Sequence, residues 1–276
     1  MIQRRTLGPL AAGLLAWPTL GRAQAAAAAP IVASVFFQNS QFGAAQLSPD
    51  GTRLAFLISS PGARLRLGVL DLQTMKSNVA IAFEKADVSG FDWVNDKRLI
   101  FRQDSEDLGP GLFAVNHDGS AFRALVDTTG HISAGPNNER GLLPWDTWLV
   151  HINARRQGDH IYVVTPQQRN LQRGVGLFTL RKVNTVTSFA EVMDSPKHAD
   201  EWFMDQDDVL RAVVTIQDDR GSFDVRQPDG SWKSIYTYKA RDALRAEPSP
   251  VYWAPDGTLY VVAPALGRSE ERRVGK

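Results

Sequence analysis

The chain repeats one short phrase of residues, and that repetition restricts its fold more than any other feature. Leu47-Ser-Pro-Asp-Gly-Thr-Arg-Leu-Ala-Phe56 returns as Trp93-Val-Asn-Asp-Lys-Arg-Leu-Ile-Phe101 and as Trp253-Ala-Pro-Asp-Gly-Thr-Leu-Tyr-Val261. A weaker copy occupies Phe203-Met-Asp-Gln-Asp-Asp-Val-Leu-Arg-Ala-Val-Val214. Each copy joins a bulky apolar residue to a tight polar turn and then to a β-rich run. The turn aspartates Asp50, Asp96, Asp207 and Asp256 mark these copies, and a degenerate fifth is placed at Asp146, giving successive spacings of 46, 50, 61 and 49 residues. Strand-forming repeats of roughly 40–50 residues are the signature of propeller blades. One four-stranded blade buries too little apolar surface to stand alone, whereas blades set radially cover both faces of every sheet. The runs Leu54-Ala-Phe-Leu-Ile58 and Ala212-Val-Val-Thr-Ile216 are apolar on both faces, as inner strands of such an array have to be. The prediction is an all-β fold, an incomplete β-propeller of about five blades spanning residues 41–267.

Within that span the first blade is expected from Gln41 to Phe83, with strands at Thr52–Ser59, Leu67–Leu72 and Val79–Phe83. The second runs from Val88 to Val126, where His117-Asp-Gly119 between apolar runs is a strong hairpin signal. The third, Gly141 to Ser188, is the least regular: Trp148–Ile152 and His160–Val164 read as strands and Gln167–Gly174 as a polar loop. The fourth carries Val209–Ile216, Phe223–Arg226, the turn Pro228-Asp-Gly230 and Trp232–Tyr238, followed by one or two helical turns within Lys239–Glu247. The fifth starts at Val251 and stops at Ala263.

The first residues lie outside this pattern. Met1-Ile-Gln-Arg-Arg5 is a basic start, Leu7 to Leu20 is apolar but broken by Gly and Pro, and Ala23-Gln-Ala25 fits a small-x-small cleavage site. Residues 1–25 therefore read as a secretory signal peptide and 26–40 as an Ala-rich leader, which places the mature protein outside the cytoplasm with no membrane span of its own. The chain has no cysteine, so neither a disulfide nor a lipidated cysteine can form. The formal net charge of +1 arises at the ends: without residues 1–25 and 268–276 the body holds 24 basic and 28 acidic residues. Such a balance does not point to a nucleic-acid partner, which favours a clustered basic face.

Arg268-Ser-Glu-Glu-Arg-Arg-Val-Gly-Lys276 changes character abruptly after a run that is still in mid-blade. Codon by codon it reads as the translation of a common sequencing adapter. The expectation is that residues 268–276 are an artefact that adds nothing to the fold, and that the natural reading frame continues beyond this fragment.

Four stretches carry a family resemblance: Leu47–Phe56, Gly68-Val-Leu-Asp-Leu72, Val88-Ser-Gly-Phe-Asp-Trp-Val-Asn-Asp-Lys-Arg-Leu-Ile-Phe101 and Gly111-Leu-Phe-Ala-Val-Asn-His-Asp-Gly119. With the two later repeats they resemble the N-terminal propeller of the prolyl-oligopeptidase family of serine peptidases, in its bacterial dipeptidyl-peptidase or acylaminoacyl-peptidase-like branch. The resemblance implies an exported, periplasmic or secreted hydrolase in which the propeller screens the active site from large substrates. Its partners would be short peptides and the chain's own C-terminal α/β-hydrolase domain, and no cofactor is implied. That domain would supply a serine in Gly-x-Ser-x-Gly, then an aspartate, then a histidine. A non-catalytic periplasmic propeller that binds protein partners is the alternative, since Ser-Pro-Asp-Gly turns occur there too.

No catalytic residue is assigned to this chain, and its substrate-binding positions stay unassigned. The nearest approach to the nucleophile motif, His131-Ile-Ser-Ala-Gly135 with Ser133 at its centre, lacks the first glycine and a following helical pattern. No metal site is assigned either: His117, His131, His151, His160 and His198 show no paired metal spacing, and Asp205-Gln-Asp-Asp208 lacks the glycine and distal glutamate of a calcium loop. Asp218-Asp-Arg220 reads as a hairpin tip. Arg155-Arg156 suits a substrate carboxylate chemically, but a solvated loop is the stronger reading. Glu270-Glu271 resembles the amine-binding glutamate pair of some aminopeptidases of the family, yet it lies within the suspected adapter and is assigned nothing. Trp93, Trp202 and Trp253 precede repeat turns, and core packing accounts for them.

Overall fold

In the computed structural model the described residues are 42–60, 62–129, 141–168, 177–240, 249–254, 257–265 and 268–274. They form strands throughout. The first sheet contains β1 (Phe42–Leu47), β2 (Arg53–Ile58), β3 (Arg66–Asp71) and β4 (Ser77–Ile81), and the second β5 (Asp87–Trp93), β6 (Arg98–Asp104), β7 (Leu112–Asn116) and β8 (Arg123–Val126). The third holds β9 (Trp148–Ile152), β10 (His160–Gln168), β11 (Leu177–Asn184) and β12 (Ala190–Val192), and the fourth β13 (Ala199–Met204), β14 (Leu210–Gln217), β15 (Arg220–Arg226) and β16 (Trp232–Lys239). A three-stranded fifth sheet pairs β17 (Ser249–Trp253), β18 (Leu259–Ala265) and β19 (Arg268–Val274). Every sheet is an antiparallel meander in chain order, the expected blade unit of a β-propeller.

Alternation along the middle strands builds the core. Successive residues of a strand point to opposite faces, and here both faces meet another sheet. On β6, Leu99 and Phe101 join Ala55, Leu57, Leu67 and Val69 of the first sheet, while Ile100 between them joins Ile161, Val163 and Val183 of the third. On β10, Tyr162 and Val164 turn the other way and pack with Trp202, Leu210 and Val213 of the fourth sheet. On β14, Ala212 and Val214 pack with Leu259 and Val261 of the fifth. Four apolar seams thus lie between five sheets. Burying each large apolar side chain stabilises by roughly 1.5–3 kcal/mol, so the seams outweigh any single polar contact between blades.

Arg98 is the exception inside this packing. It is 1% exposed and its guanidinium spans from the second sheet to the third. Nε donates to Thr185 Oγ1 at 2.8 Å and Nη1 to Asn116 Oδ1 at 2.9 Å and the Ala121 carbonyl at 3.2 Å, while Nη2 donates to the Thr185 carbonyl. Burial pulls its pKa down, and the Asp159 charge opposes that pull.

Three expectations need correction. The turn of the third blade is not at Asp146, which lies in a turn before β9; the β9–β10 turn is Asn153–Asp159. That turn has Arg156 where the first blade has a glycine, so it lacks the Asp-Gly signal. The fifth blade does not stop at Ala263: β18 continues to Ala265, and Arg268–Val274 pairs with it over seven residues, so this part of the tail does not stand outside the fold. Blade one starts next to its expected Gln41 but holds a strand that was not expected, β1 at Phe42–Leu47. The signal peptide, leader, Asp256 and the possible helical turns at 241–247 lie outside the described residues, as does all of the Gln167–Gly174 loop but its first two residues, which end β10.

Replacing Arg98 by Leu leaves buried acceptors on two blades without donors. The expected loss is roughly 2–4 kcal/mol, with Arg98→Lys recovering only part of it because one ammonium cannot reach all four acceptors. Urea denaturation of the three proteins measures the difference.

Candidate functional site

In blades one, three and four the first strand leads into a turn of one design, and these turns gather at one end of those strands. In blade one, Gly51 (φ 70°) donates its N–H to the Ser48 carbonyl at 2.8 Å, and Ser48 Oγ accepts the Arg53 N–H at 2.9 Å. In blade three Arg156 (φ 53°) and Asn153 take those places, the asparagine Oδ1 accepting the Gln157 N–H at 2.9 Å. In blade four they fall to Asp208 (φ 60°) and Asp205, whose Oδ1 accepts the N–H groups of Asp207 at 2.9 Å and Val209 at 3.0 Å. The carboxyl of Asp205 is almost fully buried. Burial alone would raise its pKa, but the Arg211 guanidinium at 2.6 Å and the two backbone donors outweigh burial and hold it below the usual value.

Side chains of these turns and of the blade-two turn bind neighbouring blades. The Asp50 N–H donates to Asp96 Oδ1 at 2.9 Å, joining blades one and two. Asn153 Nδ2 donates to the Val94 carbonyl at 2.9 Å, and Asn95 Nδ2 to Asp159 Oδ1 at 2.7 Å, joining two and three. The Ala154 N–H donates to Asp208 Oδ1 at 2.8 Å, joining three and four. Asp208 does more: its two oxygens meet His151 Nε2 at 3.0 Å and His160 Nε2 at 3.2 Å, both from blade three. The Tyr162 ring lies 5.6 and 5.5 Å from the two imidazoles. Burial first, then the charges of Asp208 and Glu191, push its hydroxyl pKa well up, so it stays neutral. This His-Asp-His cluster escapes sequence reading because its members lie 48 and 57 residues apart in the chain.

Chemically the cluster is a lock between blades. It contains no hydroxyl or thiol nucleophile, and among the described residues no group of three or more His, Asp and Glu is arranged to hold a metal. The other sequence candidates are placed as follows. Arg155 pairs with Asp207 and Arg156 donates to the Trp93 carbonyl, so both tie blades together instead of lying free in a solvated loop. His117 sits in the β7–β8 turn, where burial and then Arg53 lower its pKa. Asp218-Asp-Arg220 is the hairpin tip between β14 and β15. Trp93 is buried and donates Nε1 to the Gln46 carbonyl at 3.1 Å, Trp202 donates to Ser195 Oγ at 2.7 Å, and Trp253 packs beside the fourth seam. His131 and Ser133 lie outside the described residues; Glu270 and Glu271 fall on β19.

The opposite ends of the inner strands differ. There β1 begins with Phe42 and β9 with Trp148, 68% and 48% exposed, and β13 carries Asp200, also exposed.

Comparison with solved structures places the chain among β-propellers. It superposes on a prolyl endopeptidase with a TM-score of 0.51 at 10% identity, covering 86% of this chain and 36% of that one. An oligogalacturonate lyase in complex with manganese gives 0.51 at 12% identity, over 84% of this chain and 65% of that one. The propeller domain of the Trilobed protease from Pyrococcus furiosus, described as having an open velcro topology, gives 0.49 at 11%, over 86% and 70%. No protein-family profile matches the sequence. No curated protein matches it either. The propeller that the repeats and the resemblance implied is thus the fold found, and a peptidase of the resembled kind shares it.

Two outcomes test the turn chemistry. Asp208→Ala removes acceptors from two imidazoles and one N–H and is expected to cost about 2 kcal/mol. Asp208→Gly loses the same acceptors but relieves the left-handed backbone, and should cost about 1 kcal/mol less; thermal melts of both give the order. For Asp205, the folded pKa lies below the unfolded one, so its stabilisation is present above the unfolded value of 3.8 and is lost as pH falls through the lowered value. Wild-type stability should therefore drop more steeply than that of Asp205→Asn between about pH 5 and pH 2, as urea titrations over that range would measure.

Proposed function

We propose that this chain is the substrate-gating propeller of an exported serine exo- or oligopeptidase whose α/β-hydrolase domain lies outside these 276 residues. The observation that carries the reading is the five-sheet meander with one turn design repeated at the ends of its inner strands, in the fold shared with a prolyl endopeptidase. The chain spans 36% of that enzyme's length, a share that suits one domain of a larger protein. On this reading the propeller contributes no reacting group. Its blades, locked to one another at the turn end, form a rigid frame that passes short extended peptides and excludes folded ones by size. Rigidity matters because a frame that opened readily would admit any chain. Acyl transfer would be performed by a serine, histidine and aspartate of the hydrolase domain. The N-terminal basic and apolar segment supports export to the periplasm or the medium.

The purified chain is expected to remain unlabelled by an alkyl fluorophosphonate, while the longer parent protein labels at a single Gly-x-Ser-x-Gly serine and cleaves short peptides but not folded proteins. Stoichiometric labelling of Ser133 or another serine in this chain overturns the division of labour. A natural reading frame that stops directly after the last blade overturns the peptidase reading in favour of a propeller that binds protein partners.

A further inference from the structure

One alternation recurs on the second strand of four blades, and it tells which blade faces belong in a seam. Arg53-Leu-Ala-Phe56, Arg98-Leu-Ile-Phe101, His160-Ile-Tyr-Val163 and Thr258-Leu-Tyr-Val261 occupy equivalent places in blades one, two, three and five. The second and fourth residues face the preceding blade: Leu99 and Phe101 lie in the first seam, Ile161 and Val163 in the second, Leu259 and Val261 in the fourth. The third faces the following blade: Ala55 lies in the first seam, Ile100 in the second and Tyr162 in the third. All nine are at most 6% exposed.

Three members of the series break this rule. Leu54 and Phe56 hold preceding-blade places yet are only half-buried, and Tyr260 holds a following-blade place yet is 37% exposed. Residues paired directly across strands share a face, and both faces continue as apolar surface. In blade one Leu47 and Leu70 flank Leu54, and Phe56 and Val79 flank Gly68, where an added Cβ would come within 2.9 Å of the Phe56 ring. Arg66, paired with Ile58, borders that face. In blade five Tyr252 pairs with Tyr260, their rings 6.2 Å apart, and Val262 follows two residues on. Leu47, Val79, Tyr252 and Val262 are all exposed, so the two faces do not meet within one molecule. Contiguous apolar surface of this kind marks an interaction site.

We propose that these faces are the two halves of a seam formed between molecules, with Tyr252, Tyr260 and Val262 of one copy of this chain packed against Leu47, Leu54, Phe56 and Val79 of a second. The occupant follows from continuity with the four seams inside the chain, in each of which a following-blade face meets a preceding-blade face. Two blade-one faces set against each other have no counterpart in the molecule. The contact joins two different patches, so every copy added leaves one patch of each kind free, and association runs head to tail beyond a dimer. The inference does not depend on the peptidase reading.

Sedimentation velocity of the purified chain over a wide range of concentration tests it, with species larger than a dimer expected as concentration rises. Val79→Glu blocks the blade-one face and Val262→Glu the blade-five face, each by setting an unpaired carboxylate in the seam. Either variant alone should associate about tenfold more weakly or less still, and should still melt cooperatively because both side chains are exposed in the single molecule. An equimolar mixture of the two retains one intact face of each kind, so it should form dimers and stop there. Leu47→Glu and Tyr252→Glu, exposed on the same two faces, give the same readout should a first variant fold poorly. A parent chain that stays monomeric at every concentration, a well-folded single variant that associates as the parent does, or a mixture that stays monomeric overturns the proposal.

Discussion

The structure depends on a hydrogen bond that crosses from one blade's turn to the next. A propeller blade can be well formed and still useless if it slides against its neighbour, because apolar seams are indifferent to small translations. Contacts from Asp96 to the Asp50 N–H, from Asn153 to the Val94 carbonyl and from Asp208 to the Ala154 N–H remove that freedom at one end of the first three seams. Each joins a side chain to a backbone group, so it fixes the neighbour's main chain and not merely its surface. The turn is constrained in return. Its third or fourth residue must adopt a left-handed backbone, which glycine does without strain at Gly51 and which Arg156 and Asp208 accept because each is held by a contact to another blade.

Covered faces and locked turns explain why the middle strands look as they do. Residues such as Leu99, Ile100 and Phe101 are apolar in succession because each alternate position serves a different seam. Arg98 beside them is tolerated because its donors are matched within two blades; a buried cation with fewer partners would be expelled or neutralised. Polar and apolar terms here act in sequence, the seams supplying the stabilisation and the polar ties supplying the register.

The blade repeat was legible in the sequence because it is written in local chemistry: a bulky residue, an Asx or serine that caps its own turn, and a residue fit for positive φ. Strands β2, β3, β9 and β14 fall within a residue or two of where alternation and turns put them. Where the turn chemistry was replaced the reading failed. Asn153-Ala-Arg-Arg156 performs the work of Ser48-Pro-Asp-Gly51 through a contact to another blade, which no local pattern announces, so the repeat spacing points to Asp146 instead. Likewise β1 lacks a covered face, its residues being mostly exposed, so no alternation marks it as a strand at the start of the first blade. The His151–Asp208–His160 cluster is invisible for the same reason: it exists only once two blades are adjacent. The histidines carried no motif because their common partner arrives from the next repeat.

Polar ties between blades occur at both ends of the blades' first strands. At the turn end Asp96, Asn153 and Asp208 are committed to neighbouring blades, so a substitution at these positions is read as stability. At the entry end Asp87, the first residue of β5, accepts from Arg64 Nη1 and the Leu65 N–H of blade one, while Trp148 and Asp200 at the entries of blades three and four stay exposed. The repeated aspartate turns, the most conspicuous feature of the sequence, therefore serve the frame, since what their side chains hold is the neighbouring blade's main chain.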